Sequence, residues 1–196
     1  MNQTKILSIV FFLVSIGLAV YLWNTIFSSI NEAERIEKME AQIIEKLKMI
    51  REAQIEYQSV NGRYTSDWDK LLSFVDTGRF YITERREIVI PLDYGADSIY
   101  IEIDTLGTKL VRDSVFKQSN YPKFDLNTLA YVPGAENKKF DMWADKIDKS
   151  GVRVDVVEVR NTVPVDPGRR EDNEANTKKP LRFGSRTSVT TAGNWE

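Results

Sequence analysis

ILSIVFFLVSIGLAVYLW, residues 6–23, is apolar on every helical face, with Ser8, Ser15 and Gly17 as its small interruptions. No charged residue stands between Lys5 and Glu32. A helix of about 20 such residues spans the roughly 30 Å hydrocarbon core of a bilayer. Residues 6–30 therefore read as a transmembrane anchor in contact with membrane lipid, and the rest of the chain as what it carries. Tyr21 and Trp23 stand where an interfacial aromatic belt is expected. The run is longer than the about 7–15-residue core of a cleavable signal peptide. Ser28 to Ala33 is also a poor small-x-small cleavage match, so the anchor is expected to be retained. No cysteine follows it, which excludes a lipoprotein anchor. Lys5 and the α-amino group flank one end, so the positive-inside rule puts residues 1–5 in the cytoplasm and the larger part outside it. Ser15 and Ala19, four apart, suit either close approach of a second helix or plain lipid contact.

From residue 31 to 60 the pattern becomes amphipathic. Ile36, Met39, Ile43, Leu47, Ile50, Gln54 and Tyr57 alternate steps of three and four, and Ile44 and Ile55 widen the stripe. No Pro or Gly occurs between Leu18 and Gly62, so a helical stalk is predicted to continue from the anchor. Its stripe has two possible covers. A coiled coil needs apolar a and d positions over several heptads, and Gln54 interrupts them. The alternative is a sheet of the same chain.

Residues 61–165 read as an α+β domain with antiparallel hairpins. Asn61-Gly62 ends the stalk, since both residues tolerate a left-handed conformation. Ser66 is the expected N-cap of a short helix bearing Trp68, Leu71, Leu72 and Val75 on one face, closed by Gly78. Strands are expected over 86–91, 98–104 and 108–115, the last two joined by a turn at Thr105 to Gly107. Residues 127–132 are a further strand candidate, stopped by Pro133-Gly134. Residues 140–147 and 152–160 flank a turn at Lys149 to Gly151 and read as a second hairpin. Residues 166–180 carry eight charges, two prolines and no large apolar residue, the composition of a disordered linker. Residues 181–196 recover Leu181, Phe183, Val189 and Trp195. They read as a frayed terminus, an added edge strand or a surface for a partner.

Composition removes several classes of function. The chain has no cysteine and no histidine, so thiol catalysis, Ser-His-Asp chemistry and His-ligated zinc are excluded. A net charge of −2 gives no electrostatic footprint for nucleic acid. Asp67 and Asp69 suit a helix start better than a metal, and Asp141, Asp145 and Asp148 match no calcium loop. Lys149-Ser150 does not present both groups to one substrate. Tyr64, Trp68, Phe74, Phe80 and Tyr81 read as core around the short helix rather than as a ligand shelf. No catalytic residue, cofactor or metal ligand is assigned, and no enzyme is expected.

The passage from Met49 to Leu72 contains Ala53, Tyr57, Asn61, Gly62, Tyr64, Leu71 and Leu72. This resembles type IV pilins and the pseudopilins of type II secretion, whose Ala-x-x-x-Tyr helix end precedes Asn-Gly-x-Tyr and a short leucine-bearing helix. The resemblance implies a pilin-like α+β fold: a transmembrane helix continuing into an amphipathic one, packed on an antiparallel sheet. It also implies a bacterial inner membrane with the domain in the periplasm. The family's Gly-Phe-Thr-Leu-Ile-Glu processing signal is absent, as is an acid early in the apolar helix, so the likeness is one of architecture. The expected function is a non-enzymatic structural or accessory subunit of an envelope assembly for secretion, motility or a pilus-like organelle. Its partners would be other envelope proteins or further copies of itself. The candidate contacts are Ile36, Met39, Ile43 and Leu47 on the stalk, with Phe183 and Trp195 near the end. The alternative is a membrane-tethered extracytoplasmic module binding a small ligand, peptide or cell-wall fragment. A third class, a membrane-bound hydrolase, would need a buried pair of carboxylates in a cleft.

Overall fold

A computed structural model describes residues 3–91, 97–117, 119–122, 124–173 and 175–196. Helix α1 spans Gln3–Asn61 and stops where Gly62 turns to φ 72°, its N–H donating to the Gln58 carbonyl at 2.8 Å. Among the described residues, α1 is the helix long and apolar enough to cross a membrane. The chain divides into two compact units, Met1–Gln42 and Ile43–Glu196. The boundary thus falls inside α1, not at its end as the sequence pattern suggests. Within the first unit every side chain from Leu7 to Arg35 is exposed.

The second unit closes around one apolar core. Ile43, Leu47, Ile50 and Ala53 of α1 are fully buried in it. They share it with Leu71 and Val75 of α2 (Trp68–Thr77) and with Phe140, Val157, Val159 and Phe183. From Ile43 onward, then, the stripe is covered by the same chain. The N-cap of α2 is Asp67 rather than Ser66: its Oδ1 accepts from Asp69 N at 2.9 Å and Lys70 N at 3.4 Å. A carboxylate there also complements the positive end of the helix dipole, which a serine hydroxyl does less well. Gly78 closes α2 as expected, donating to the Phe74 carbonyl.

Two antiparallel sheets follow among the described residues. Strand β1 (Arg79–Pro91) pairs with β2 (Asp97–Leu110); their connection, 92–96, lies outside the described residues. The turn expected at Thr105 to Gly107 is instead a bulge inside β2. Thr83 faces Thr105, Ile82 faces Gly107, and Leu106 is left over. Glycine marks bulges as well as turns, which is why the pattern misled. Residues 111–114 form a short helix, α3, where a strand was expected. The 127–132 candidate likewise becomes a 3-10 turn, Leu126–Thr128, with a lone bridge from Tyr131 to Lys139. Lys46 of α1 holds this loop by donating to the Thr128 and Tyr131 carbonyls, and burial pushes its pKa down.

The second sheet has the order β3-β4-β5 (Asp141–Lys149, Val152–Arg160, Arg182–Gly184). The β3–β4 hairpin turns at Ser150 and Gly151, with φ of 57° and 82°, the doubly left-handed form that suits the strand twist. β5 is the added edge strand, with Phe183 opposite Val159. Residues 166–180, expected to be a linker without structure, make hydrogen bonds of their own. Asp166 accepts from Gly168 N at 2.8 Å, and Asn176 donates to the Gly168 and Glu171 carbonyls at 2.9 and 2.7 Å. Polar side chains do there what apolar burial does elsewhere.

Gln54, the break in the apolar stripe, is fully buried. Its amide donates to the Thr65 carbonyl at 2.7 Å and accepts from Thr65 N at 3.2 Å. Gln54→Leu would keep the volume and orphan both backbone groups of Thr65. Each unpaired buried group costs about 1–3 kcal/mol, so a net loss of about 2–4 kcal/mol is expected in chemical denaturation of the full chain in detergent.

The last residue is tied back to α1: Arg51 donates to Glu196 at 2.6 Å, and this contact, followed by the Gly193 amide, holds the Glu196 carboxyl below its ordinary 4.5. A carboxyl lowered by folding contributes stability above its unfolded value and loses it as pH falls through the folded one. Melting temperature followed downward through pH 4.5 should therefore drop less steeply for Glu196→Gln than for the parent.

Candidate functional site

An open polar cleft of about 700 Å³ lies in the second unit. The end of α1, the 62–67 loop and the start of α2 form one wall, and the β3–β4 hairpin forms the other. Gly62 reverses the chain so that Arg63, Tyr64 and Asp67 face Lys146, Asp148, Arg153 and Asp155. Four cations (Arg63, Lys70, Lys146, Arg153) meet four carboxylates (Asp67, Asp145, Asp148, Asp155), so the lining has no net sign. Two pairs are partly closed, Lys70–Asp67 at 3.4 Å and Lys146–Asp155 at 3.7 Å.

Two ionisations in the cleft are displaced. Burial, then the charge of Asp155, pushes the Tyr64 hydroxyl up, further from ionising. The Lys70 amide, then the Asp69 amide and the Lys70 side chain, hold the Asp67 carboxyl down against the opposing effect of its small desolvation. Neither displacement brings a proton acceptor or donor towards neutral pH. The arrangement can hold a polar molecule through charge and hydrogen bonds.

A second cluster is a closed ring of alternating charges. Arg186 bridges Glu158 (2.9 Å) and Asp141 (3.1 Å); Arg160 bridges Asp141 and Asp172 (both 3.3 Å); Arg182 bridges Asp172 and Glu158 (both 3.6 Å). Glu158 is buried, and Arg186 also lies 5.4 Å from the Trp143 ring centre. The ring ties β3, β4, the 166–180 segment and β5 together. Each charge has two partners, so the cluster is satisfied internally.

Of the residues proposed as contacts, Ile43, Leu47 and Phe183 have no exposed area in the folded unit. They cannot meet a partner, because they are its core. Trp195 packs half-buried against that core, while Ile36 and Met39 are half-buried in the first unit. In the aromatic group, Tyr64, Trp68, Phe74 and Phe80 pack on the core as expected, but Tyr81 is exposed. Among the described residues no three acids gather as a metal site would require. The cleft and the ring were not foreseen, since each joins segments far apart in sequence. No protein-family model, curated protein or solved structure matches the chain.

The ring generates a test of its own. Arg186→Met leaves the buried Glu158 carboxylate with only its 3.6 Å partner. A loss of about 2 kcal/mol is expected, below the cost of breaking a fully buried pair because Arg186 is partly exposed. Adding Glu158→Gln should recover part of it in a double-mutant cycle read by denaturation.

Proposed function

We propose that this chain is a single-span membrane protein whose folded unit serves as a structural or accessory subunit of a bacterial envelope assembly. The observation that carries the reading is the exposed apolar helix from Leu7 to Ile30. Every side chain along it is apolar or uncharged, and every one is exposed. Water does not tolerate such a surface, and a lipid core does: the helix satisfies its own backbone and presents only apolar side chains. The sparse charges favour an N-terminus in the cytoplasm and a second unit in the periplasm. A long N-terminal helix preceding an α+β unit is compatible with a pilin-like layout. Ile36, Met39 and Trp195 keep some exposed area for partners.

A second reading, a tethered binding module, draws on the open cleft beside Arg63 and Lys146. Its mixed lining suits a zwitterionic or polar molecule over a simple anion.

Arginine near the centre of a spanning helix costs about 2.5–3.5 kcal/mol per residue. Leu13→Arg with Ile16→Arg should move the chain from the carbonate-resistant membrane fraction to the soluble or degraded one. Parent protein in the soluble fraction would sink the anchor. Crosslinking of the membrane-bound parent should then capture copies of itself or other envelope proteins. Uniform monomer would shift the weight to the cleft.

A further inference from the structure

Strands β1 and β2 form a two-stranded ribbon that pairs with no other described strand. Two strands alone are marginal in water; a third strand or a packed face is normally required. This ribbon also carries apolar side chains in the open. Ile99, Ile101 and Ile103 alternate along one face of β2 at 63, 43 and 65 % exposure, with Val89 beside them at 55 %. Val89 faces Ile99 across the ribbon, so the four form one patch.

The two outer edges differ. β1 carries Glu84, Arg85, Arg86 and Glu87 in succession and ends at Pro91, features by which edge strands resist further pairing. β2 has neither lysine nor proline from Asp97 to Thr105. Over that run its pairing with β1 is regular, and at Leu106 the bulge interrupts it. The usable edge is therefore residues 97–105, and its midpoint is Ile101.

We propose that the free edge of β2 is a self-association seam, where β2 of a second copy pairs antiparallel about Ile101. In that register Ile101 faces Ile101 of the other copy, and Ile99 faces Ile103. Tyr100 faces Glu102 and Ser98 faces Asp104, so no like charges stand directly opposite. Glu102 and Asp104 lie on the face away from Ile99, Ile101 and Ile103, because strand side chains alternate, while Glu87 and Arg85 of β1 flank the isoleucines on their own face. The product is a four-stranded sheet with Val89, Ile99, Ile101 and Ile103 of both copies on one face. A strand of unrelated sequence would gain the same backbone bonds but has no reason to match this symmetry. The seam goes beyond the membrane role and does not depend on it.

The chain has no cysteine, so single cysteines report the register cleanly. In full-length protein in detergent, Ile101→Cys should crosslink to a covalent dimer under mild oxidation or with a short bismaleimide. Ile99→Cys mixed with Ile103→Cys should crosslink more than either alone, and Arg85→Cys on the β1 edge should not. Ile101→Lys would set two ammonium groups against each other and weaken dimerisation at least about tenfold, with the circular dichroism and melting of the parent retained. A monomeric parent would overturn the proposal. So would a dimer that survives Ile101→Lys, or crosslinking equal at Arg85 and Ile101. If the lysine variant misfolds, the cysteine mixture alone decides.

Discussion

Gln54 places a primary amide where an apolar face would otherwise be continuous, and that amide replaces a neighbouring strand for the backbone groups of Thr65. Both hydrogen bonds are buried, so neither can be exchanged for water without opening the core. The constraint fixes where the chain goes after Gly62. With Thr65 pinned, Asp67 caps α2, and Leu71 and Val75 fall onto the same core as Ile50 and Ala53. Trp68 then reaches the Phe140 carbonyl at 3.3 Å, linking α2 to the start of β3. A glutamine that looks like a flaw in a heptad is thus the point from which the second unit is laid out.

The far end of the unit is closed by charge rather than by apolar area. β5 is three residues long and contributes Phe183 as its buried side chain. So short a strand gains little from its ladder, and the six-membered ring of carboxylates and guanidiniums adds what the ladder lacks. Burying Glu158 would be costly with one cation, but two arginines share it. Three arginines suit this role because a guanidinium fork can bridge two carboxylates at once, which a lysine does less well. The Arg51–Glu196 pair fastens the final residue to α1.

What could be read from the sequence was local or periodic. The Ser150-Gly151 turn, the Gly62 stop and the amphipathic stripe each express a backbone rule within a few residues. The misreadings also have local causes. Gly107 signals a break in regular pairing without saying whether the chain turns or bulges. Ser66 and Asp67 are both good caps, and only the geometry chooses between them. The 166–180 segment lacks apolar residues, yet Asp166 and Asn176 organise it through backbone groups, which composition cannot register. Ile43 and Leu47 were ambiguous because an apolar stripe looks the same whether another chain or its own covers it. The cleft and the ring could not be anticipated, since both depend on which distant segments meet. Only a rise in Arg and Asp after Asp141 hinted at the ring.

Exposed apolar surface occurs in two forms here, and their backbones separate them. From Leu7 to Ile30 every peptide group inside the helix is bonded within the helix, so lipid can surround it at no cost to hydrogen bonding. The β1–β2 ribbon has isoleucines just as exposed, but along each outer edge alternate N–H and C=O groups point away from the ladder. Hydrocarbon would strand those groups, and water would leave the isoleucines wet. Only another strand answers both demands, because it bonds the edge and extends the apolar face together. The same reasoning supports the proposed membrane span for the first form and the proposed strand seam for the second.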